Sequence, residues 1–239
     1  MPLNPIDWPS LYHRWGVTAR GLERAYSPSR VLDLLTRALP SEPTARVLEL
    51  GSAPGRWIAW VRQRLRCRVV GIELDPDGAR LSRTLYPEVA VIRADARGLP
   101  FADGSFDAVF SIGLLEHFED PSTILRETWR VLVKGGMCVS VVPNLAPGSF
   151  QHWHWKRTQP EFLAGHYCYD LPGLITLLSG NGFDVVHAEG NGLYVPHLQR
   201  VVGRLPFRWL FRRLEHRALA ANLAVVAKRG HSALQSHDH

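Results

Sequence analysis

The chain has 239 residues, 46% of them hydrophobic, with a net charge of +6 and a sequence pI near 9.6. This length and apolar content suffice for one domain with a single buried core, and no run of about 18 apolar residues occurs that could span a bilayer. Three cysteines without C-x-x-C spacing exclude a disulfide framework and a cysteine-bound metal. The amino terminus lacks the charged and apolar regions of a signal peptide, so we expect a cytoplasmic protein.

The first predicted elements are two helices, over 9–26 and 28–39, which form an N-terminal helical cap over 1–44. A short apolar strand over 47–50 then runs into the turn Gly51-Ser-Ala-Pro-Gly55. Glycine adopts φ > 0 and lets a ligand approach the main chain closely. A helix that starts directly after this turn would point unpaired N–H groups at it, so the turn predicts a cofactor site.

Three more strands follow, over 68–73, 89–94 and 106–112, and the first two lead into carboxylates. Glu73 comes about 20 residues after Gly51, which is the spacing of a carboxylate that binds ribose hydroxyls in nucleotide sites. These strands therefore predict an α/β domain with a ribose-containing cofactor at the carboxyl edge of its sheet.

Charge and glycine spacing together favour one cofactor. A G-x-G-x-x-G fingerprint of NAD sites requires glycines where Ala53 and Arg56 stand. Glu49, Glu73 and Asp95 lie at strand ends, and three carboxylates would repel a diphosphate but attract a sulfonium and an ammonium group. S-adenosylmethionine, which carries both cations, fits this pattern better than a dinucleotide does.

Five segments resemble the class I S-adenosylmethionine-dependent methyltransferases, in particular the small-molecule branch with the ubiquinone and menaquinone biosynthesis enzymes. The resemblance implies a Rossmann-like α/β fold, in which a seven-stranded, mostly parallel sheet has an antiparallel edge hairpin and helices on both faces. The segments lie in the order that is usual in the family, at 47–51, 69–76, 94–107, 114–117 and 130–136.

The remaining predicted elements complete this fold. We expect a single methyltransferase domain over 1–239, in which 45–142 forms the cofactor-binding half. Residues 143–229 would form a substrate-side half with two insertions, and 230–239 a loose tail. The later elements are helices over 120–133 and 170–180 and strands over 137–142, 183–188 and 222–227.

The resemblance also implies cofactor-binding roles. Glu49 would orient the turn or the methionine ammonium, Glu73 would hold the ribose hydroxyls, and Asp95 would bind the adenine amine. Glu73 and Asp95 could instead cap a helix and anchor a turn. Leu74 would pack on the adenine face, the N–H of Ala96 would bind an adenine ring nitrogen, and Ser111 would lie beneath the cofactor. The full set of predicted cofactor residues is Glu49, Gly51, Ser52, Ala53, Gly55, Glu73, Leu74, Asp95, Ala96 and Ser111.

The first insertion, over 143–169, is expected to form the substrate wall, because ligands of open α/β sheets bind at the carboxyl ends of the strands. Its aromatic and histidine side chains suit a flat phenolic, quinone-like or heterocyclic acceptor. A loop packed down by its tryptophans is the alternative. The candidate substrate-binding residues are His152, Trp153, Trp155 and Tyr167.

His117 is the first candidate for a catalytic general base, because it follows the fourth strand at the methyl end of the cofactor, and His166 is the second. A structural role for His117 in its turn is the alternative. His152 and His154 alternate as metal ligands can, but no third ligand accompanies them. The sequence therefore predicts no metal site.

The second insertion, over 190–221, contains arginines spaced by four residues, and such like charges destabilise a helix. An anionic membrane surface or an anionic substrate would relieve this repulsion. A solvated basic face is the alternative. The arginines are Arg200, Arg204, Arg208 and Arg212.

Three other functions stay open. The turn Gly-Ser-Ala-Pro-Gly is typical of ribosomal RNA 2′-O-methyltransferases and suits a basic chain, but the aspartate and lysines of those enzymes are missing here. The segment 111–118 resembles the cyclopropane fatty acid synthases through its Glu-His-Phe, which keeps a lipid acceptor open. A protein that binds the cofactor without transferring a methyl group is the third. The sequence does not indicate the acceptor atom, the pathway or the oligomeric state.

Overall fold

The computed structural model describes residues 30–194 and 218–230 together with Thr18. The helix predicted over 9–26, the arginines within 200–217 and the tail from 231 onward lie outside the described residues. No helix in the described part of the chain is long and apolar enough to cross a membrane.

Seven strands form one sheet in the described ranges. They are β1 (Arg46–Leu50), β2 (Arg68–Glu73), β3 (Ala90–Arg93), β4 (Phe106–Ile112), β5 (Leu132–Pro143), β6 (Phe183–Leu193) and β7 (Ala220–Arg229). Their order is β3-β2-β1-β4-β5-β7-β6. The first five pair in parallel, whereas β7 lies antiparallel between β5 and β6. The predicted parallel sheet with an antiparallel edge hairpin is confirmed.

Helices cover both faces of this sheet. They are α1 (Arg30–Ala38), α2 (Arg56–Leu65), α3 (Pro76–Leu85), α4 (Ser122–Val131), α5 (Phe150–Thr158), α6 (Pro160–Ala164) and α7 (Leu171–Gly180). Three of them begin at a side chain that accepts a hydrogen bond from the N–H three residues later, namely Asp75, Ser149 and Asp170.

Alternation along β1 divides the core into two layers, because successive side chains of a strand point to opposite faces. Val47 packs in one layer with Leu34 of α1 and Ile58 of α2. Leu48 packs in the other layer with Leu125 of α4. Both faces of the central strands are buried, as in other parallel sheets, so the polar strand ends are left to form a site.

Two predicted boundaries are wrong. The edge strands extend further than expected, so the second insertion runs over 194–219 instead of 190–221. Helix α4 ends at Val131 instead of residue 133, and Gly135 follows with φ of +70°. At this point the pairing of β4 with β5 shifts register, and regular pairing resumes at Met137, where the sequence predicts strand five to begin.

Candidate active site

The glycine turn after β1 is packed tightly from beneath. Gly51 and Gly55 have φ of +69° and +91°, in the left-handed region that favours glycine. A Cβ at Gly51 would lie 3.1 Å from Leu114 Cδ1, and one at Gly55 would lie 3.1 Å from Ser82 Cβ and from Tyr86 Cδ2. Both conformation and space therefore require glycine at these two positions.

Ser52 fixes the turn to the neighbouring strand β2. Its N–H donates to the carbonyl oxygen of Ile72 at 2.9 Å. A Cβ at Gly71 would lie 2.6 Å from both the Cβ and the Oγ of Ser52, so only glycine fits beside this serine. The hydrogen bond to Ile72 and the close packing of Ser52 on Gly71 therefore hold the turn against β2.

Glu73 connects the turn to the start of α3. Its two carboxylate oxygens accept hydrogen bonds from Ala53 N–H at 3.1 Å and from Asp75 N–H at 3.0 Å. Asp75 in turn caps α3 by accepting from Gly78 N–H at 2.6 Å. Burial raises the pKa of Glu73, and these two hydrogen bonds oppose that rise. Glu73 thus holds the turn, while its predicted contact with ribose hydroxyls stays a prediction.

Glu49 lies beneath the turn as a buried carboxyl, 1% exposed. Its Oε2 has no hydrogen-bond partner among the described residues. Burial raises the pKa of Glu49 well above its usual range, which the Arg56 guanidinium and a hydrogen bond from the backbone of Ile58 partly offset. A buried carboxyl oxygen without a hydrogen-bond partner costs free energy, which a ligand that donates to Oε2 would recover.

Asp95, at the end of β3, is paired with Arg97. Its Oδ2 lies 2.7 Å from Arg97 Nη2, and its Oδ1 accepts from the Arg97 backbone N–H at 2.9 Å. The side-chain hydrogen bond from Arg97 lowers the pKa of Asp95. The turn-anchoring role left open for Asp95 is therefore present in the structure, and its adenine contact stays a prediction.

The other predicted cofactor residues lie around these carboxylates. Leu74 directly follows Glu73 and is 52% exposed, so its apolar surface is available to pack against a flat ligand. Ala96 is buried next to Asp95. Ser111, at the end of β4, is buried and pairs with Leu50 of β1. The strand ends therefore bring the whole predicted set to one edge of the sheet.

His117 and His166, the two candidate bases, lie together with their ring centroids 4.6 Å apart. Glu116 Oε1 lies 4.0 Å from His117 Nε2, and the Glu116 carbonyl accepts from Tyr167 N–H at 2.7 Å. Burial raises the pKa of Glu116 to about 8 and lowers that of His117 to about 4, and it also lowers that of His166. Both imidazoles are therefore uncharged at neutral pH.

Trp155 extends this histidine pair toward α5. Its ring centroid lies 5.8 Å from that of His166 and 5.2 Å from that of Phe162. Its indole N–H donates to the Tyr194 hydroxyl at 2.9 Å, and that hydroxyl also lies 2.8 Å from His154 Nδ1. Trp155 and Tyr167 are thus the predicted substrate residues that the structure brings beside the histidines.

His152 and Trp153, in contrast, make their contacts elsewhere. His152 Nδ1 bonds the carbonyl of Leu145 at 2.8 Å. Trp153 is 53% exposed and stacks on Phe150, with ring centroids 5.5 Å apart. Because residues two apart on a helix do not face each other, the alternation of His152 with His154 in α5 does not make a pair of metal ligands.

A family model described as "Methyltransferase domain" matches residues 48–140. The chain contains a methyltransferase domain. Over 110 residues it is 36% identical to an uncharacterized methyltransferase of Mycobacterium sp. (strain KMS), covering 46% of this chain and 43% of that protein. Over 145 residues it is 32% identical to a demethylmenaquinone methyltransferase of Thermus thermophilus, covering 57% and 64%. The chain thus spans less than two thirds of these two relatives.

A solved methyltransferase structure has the same fold. The chain superimposes on a SAM-dependent methyltransferase of Thermotoga maritima with a TM-score of 0.65 and 19% identity, covering 92% of this chain and 95% of that one. This likeness covers more of the chain than residues 48–140 do, and it concerns the fold alone.

Two other solved structures of this fold are a phosphoethanolamine N-methyltransferase of Haemonchus contortus in complex with S-adenosyl-L-methionine (17% identity, TM-score 0.63, covering 83% of this chain and 52% of that one) and a geranyl diphosphate C-methyltransferase of Streptomyces coelicolor in complex with S-adenosyl-L-homocysteine (16% identity, TM-score 0.62, covering 83% and 78%). The residues of the candidate site fit a ligand of this kind. The buried, unpartnered Oε2 of Glu49 suits a ligand ammonium. The left-handed Gly51 and Gly55 leave the main chain of the turn open to close approach. Exposed Leu74 next to Glu73 suits an adenosine group.

Sequence reasoning missed three residues of the candidate site. Glu116 was not among the predicted site residues, although it directly precedes His117, and only the fold shows that it is buried beside both histidines. Arg97 was also missed, although an arginine two residues after Asp95 can reach back to its carboxylate. Tyr194, which bonds Trp155, gave no sequence signal because it lies far along the chain.

Proposed function

We propose that the protein transfers a methyl group from S-adenosylmethionine to a small-molecule acceptor bound between the glycine turn and α5. The observation that carries this proposal is the pair of hydrogen bonds at Glu73, a joint between the glycine turn and α3. Its carboxylate accepts from Ala53 N–H in the turn and from Asp75 N–H at the start of α3. This joint lies within the residues that match the methyltransferase domain.

In this proposal the side chains at the strand ends hold the cofactor. Glu49 faces the ammonium, Glu73 the ribose hydroxyls and Asp95 the adenine amine, while Leu74 packs on the adenine ring. The bound cofactor supplies a methyl group on a positively charged sulfur, which an acceptor atom attacks directly. Alignment of the acceptor with that methyl group accounts for much of the catalysis, with a gain of up to about 7 to 11 kcal/mol in well-oriented systems.

The acceptor would be aromatic or quinone-like and would lie against His117 and His166. Both imidazoles are uncharged at neutral pH, and His166, whose Nδ1 bonds the carbonyl of Phe162, can accept a hydrogen bond from an acceptor hydroxyl at Nε2. Trp155 provides ring surface beside His166. The Thermus relative is named a demethylmenaquinone methyltransferase, which supports a quinone-like acceptor.

Binding and transfer measured separately would test the proposal. The wild-type chain is titrated calorimetrically with S-adenosylhomocysteine, NAD⁺ and a ribosomal RNA fragment. It is then supplied with methyl-labelled S-adenosylmethionine and a panel of catechols, hydroquinones, RNA and lipid vesicles. We expect binding of S-adenosylhomocysteine alone and label in the aromatic acceptors.

Each other outcome would overturn a named part of the proposal. Failure to bind S-adenosylhomocysteine would remove the cofactor assignment. Label in RNA or in lipid would replace the aromatic acceptor by the alternatives that the turn and the Glu-His-Phe segment leave open. Binding without transfer to any acceptor of the panel would favour a non-catalytic cofactor-binding protein. A cytoplasmic location and contact of the 200–217 arginines with anionic membranes stay predictions of the sequence.

A further inference from the structure

Glu116, His117 and His166 form a cluster that resembles a set of metal ligands. One ligand atom from each, an oxygen of Glu116 and a nitrogen of each histidine, lies within 4.8 Å of the other two. The cluster joins two segments that are distant in sequence, the turn after β4 and the stretch after α6. It lies beyond the end of β4, on the side of the sheet edge where the acceptor is expected.

Hydrogen bonding prepares His166 for a ligand. Its Nδ1 lies 2.7 Å from the carbonyl oxygen of Phe162, and since a carbonyl only accepts, Nδ1 must carry the proton. The lone pair of the ring is then on Nε2. A backbone carbonyl that orients the other nitrogen is the usual support of a metal-binding histidine.

Glu116 provides a buried carboxyl with one oxygen that has no partner among the described residues. It is 2% exposed, and its Oε2 has no hydrogen-bond partner among the described residues. The Glu116 backbone is meanwhile fixed by Tyr167 N–H, so the side chain is held beside the histidines. Burial of a carboxyl without a partner costs free energy that a bound cation would recover.

We infer that Glu116, His117 and His166 bind a divalent first-row transition metal ion at the acceptor side of the methyltransferase site. Metal–ligand bonds of about 2.1 Å require the three ligand atoms to approach one another by roughly 1 Å. Two imidazoles and one carboxylate suit Zn²⁺, Mn²⁺ or Fe²⁺ better than Mg²⁺, which prefers oxygen ligands.

Three protein ligands leave a coordination position open. An oxygen of the acceptor would take this position, which narrows the acceptor to a molecule with an exposed hydroxyl, such as a catechol or a hydroquinone. This narrowing rests on the proposed function, whereas the metal site itself does not. In the loaded protein the two imidazoles and Glu116 would hold the ion. The ion would lower the pKa of the coordinated acceptor hydroxyl, so that its proton passes to water and the oxygen anion can attack the methyl group.

Metal titration would test the inference. The tag-free chain is stripped with a chelator, dialysed and titrated calorimetrically with Zn²⁺, and then with Co²⁺ while visible absorption is recorded. We expect one equivalent of Zn²⁺ to bind the wild type. Glu116→Gln and His166→Ala should each weaken binding by at least about tenfold.

Two controls use histidines outside the cluster. His187 lies 3.1 Å from Glu189 on the exposed edge strand, so His187→Ala tests surface binding to a histidine–carboxylate pair. A second variant replaces the three histidines of the C-terminal tail, His231, His237 and His239, by alanine. Both should bind one equivalent as tightly as the wild type does.

Three results would overturn the metal site: no binding at one equivalent, unchanged binding in both cluster variants, or loss of binding in a control variant. Binding of S-adenosylhomocysteine shows which variants are folded. If a cluster variant does not fold, the Co²⁺ spectrum of the wild type decides instead: a spectrum identical to that of aqueous Co²⁺ would overturn the metal site. A chain that binds S-adenosylhomocysteine and transfers methyl groups but binds no Zn²⁺ would refute this inference alone. Failure of the wild type to bind S-adenosylhomocysteine would instead refute the proposed function.

Discussion

His117 and His166 face each other across two segments, with ring centroids 4.6 Å apart and an angle of 54° between the ring planes. His117 belongs to the short 3-10 turn after β4, and His166 follows α6. The hydrogen bond from Tyr167 N–H to the Glu116 carbonyl joins the same two segments. The carboxyl end of β4 and the chain after α6 therefore form one wall of the site.

Replacement of either histidine should impair transfer without impairing cofactor binding. We expect His117→Ala and His166→Ala each to lower kcat by about 10²-fold or more, since either a base or an acceptor-positioning group is lost. The dissociation constant of S-adenosylhomocysteine should change little, because the predicted cofactor residues other than Ser111 lie in or after β1, β2 and β3. Steady-state kinetics and calorimetry check both values, with His187→Ala as control. An unchanged kcat in both variants would contradict the assignment.

The positions of the candidate cofactor residues could be predicted from sequence because these residues lie at strand ends, whereas their contacts with a cofactor stay predictions. Glu49, Glu73 and Asp95 follow short apolar runs, and the carboxyl ends of parallel strands meet at one edge. The local sequence pattern therefore predicts both the strand and the place of each carboxylate at its carboxyl end. What pattern does not fix is the partner of each carboxylate, such as the ion pair of Asp95 with Arg97.

The acceptor half could be predicted only in part. Sequence places His117 after β4, but the approach of His166 depends on the path of the chain through α5 and α6, which has no periodic apolar signal. The burial of Glu116 depends on the same path. Contacts between distant segments of this kind follow from tertiary packing, so a single sequence gives no direct sign of them.

Glu73→Gln should weaken cofactor binding and loosen the turn. Glutamine is nearly the same size but keeps one carbonyl oxygen, so one of the N–H groups of Ala53 and Asp75 loses its acceptor. We expect a stability loss of about 1 to 3 kcal/mol and a larger Kd for S-adenosylhomocysteine. Urea unfolding and calorimetry measure the two effects. Asp77→Asn, at an exposed ion pair, is the control, and an unaltered Kd in Glu73→Gln would argue against the ribose role.

Gly71→Ala should destabilise the protein because its Cβ would meet the Cβ and Oγ of Ser52 at 2.6 Å. Overpacking of this kind costs about 1 to 3 kcal/mol. Ser52→Gly removes both obstructing atoms, so the double variant should recover part of the loss, a coupling that thermal unfolding of the four proteins measures. Gly98→Ala, whose Cβ meets nothing within 4 Å, should be neutral. Equal losses in the single and double variants would show that Ser52 is not the obstacle.

Arg130 fixes the loop after Asp95 to α4. Its guanidinium donates to both carboxylate oxygens of Glu127, at 2.8 and 2.7 Å, and to the carbonyl of Phe101 at 2.8 Å. Glu127 also accepts from Leu99 N–H at 2.7 Å. The hydrogen bond with Arg130 lowers the pKa of Glu127 below its ordinary value. A lowered carboxyl pKa in the folded state means that the pairing stabilises the protein above the unfolded pKa.

This contribution should disappear as the pH falls through the folded pKa of Glu127, because both states then bind the proton. Glu127→Gln should therefore be less stable than the wild type at pH 7 by about 1 kcal/mol, and the difference should shrink below about pH 4. Urea unfolding of both proteins at a series of pH values measures it. A difference that stays constant across this range would mean that the charge of Glu127 contributes nothing and that only its shape matters.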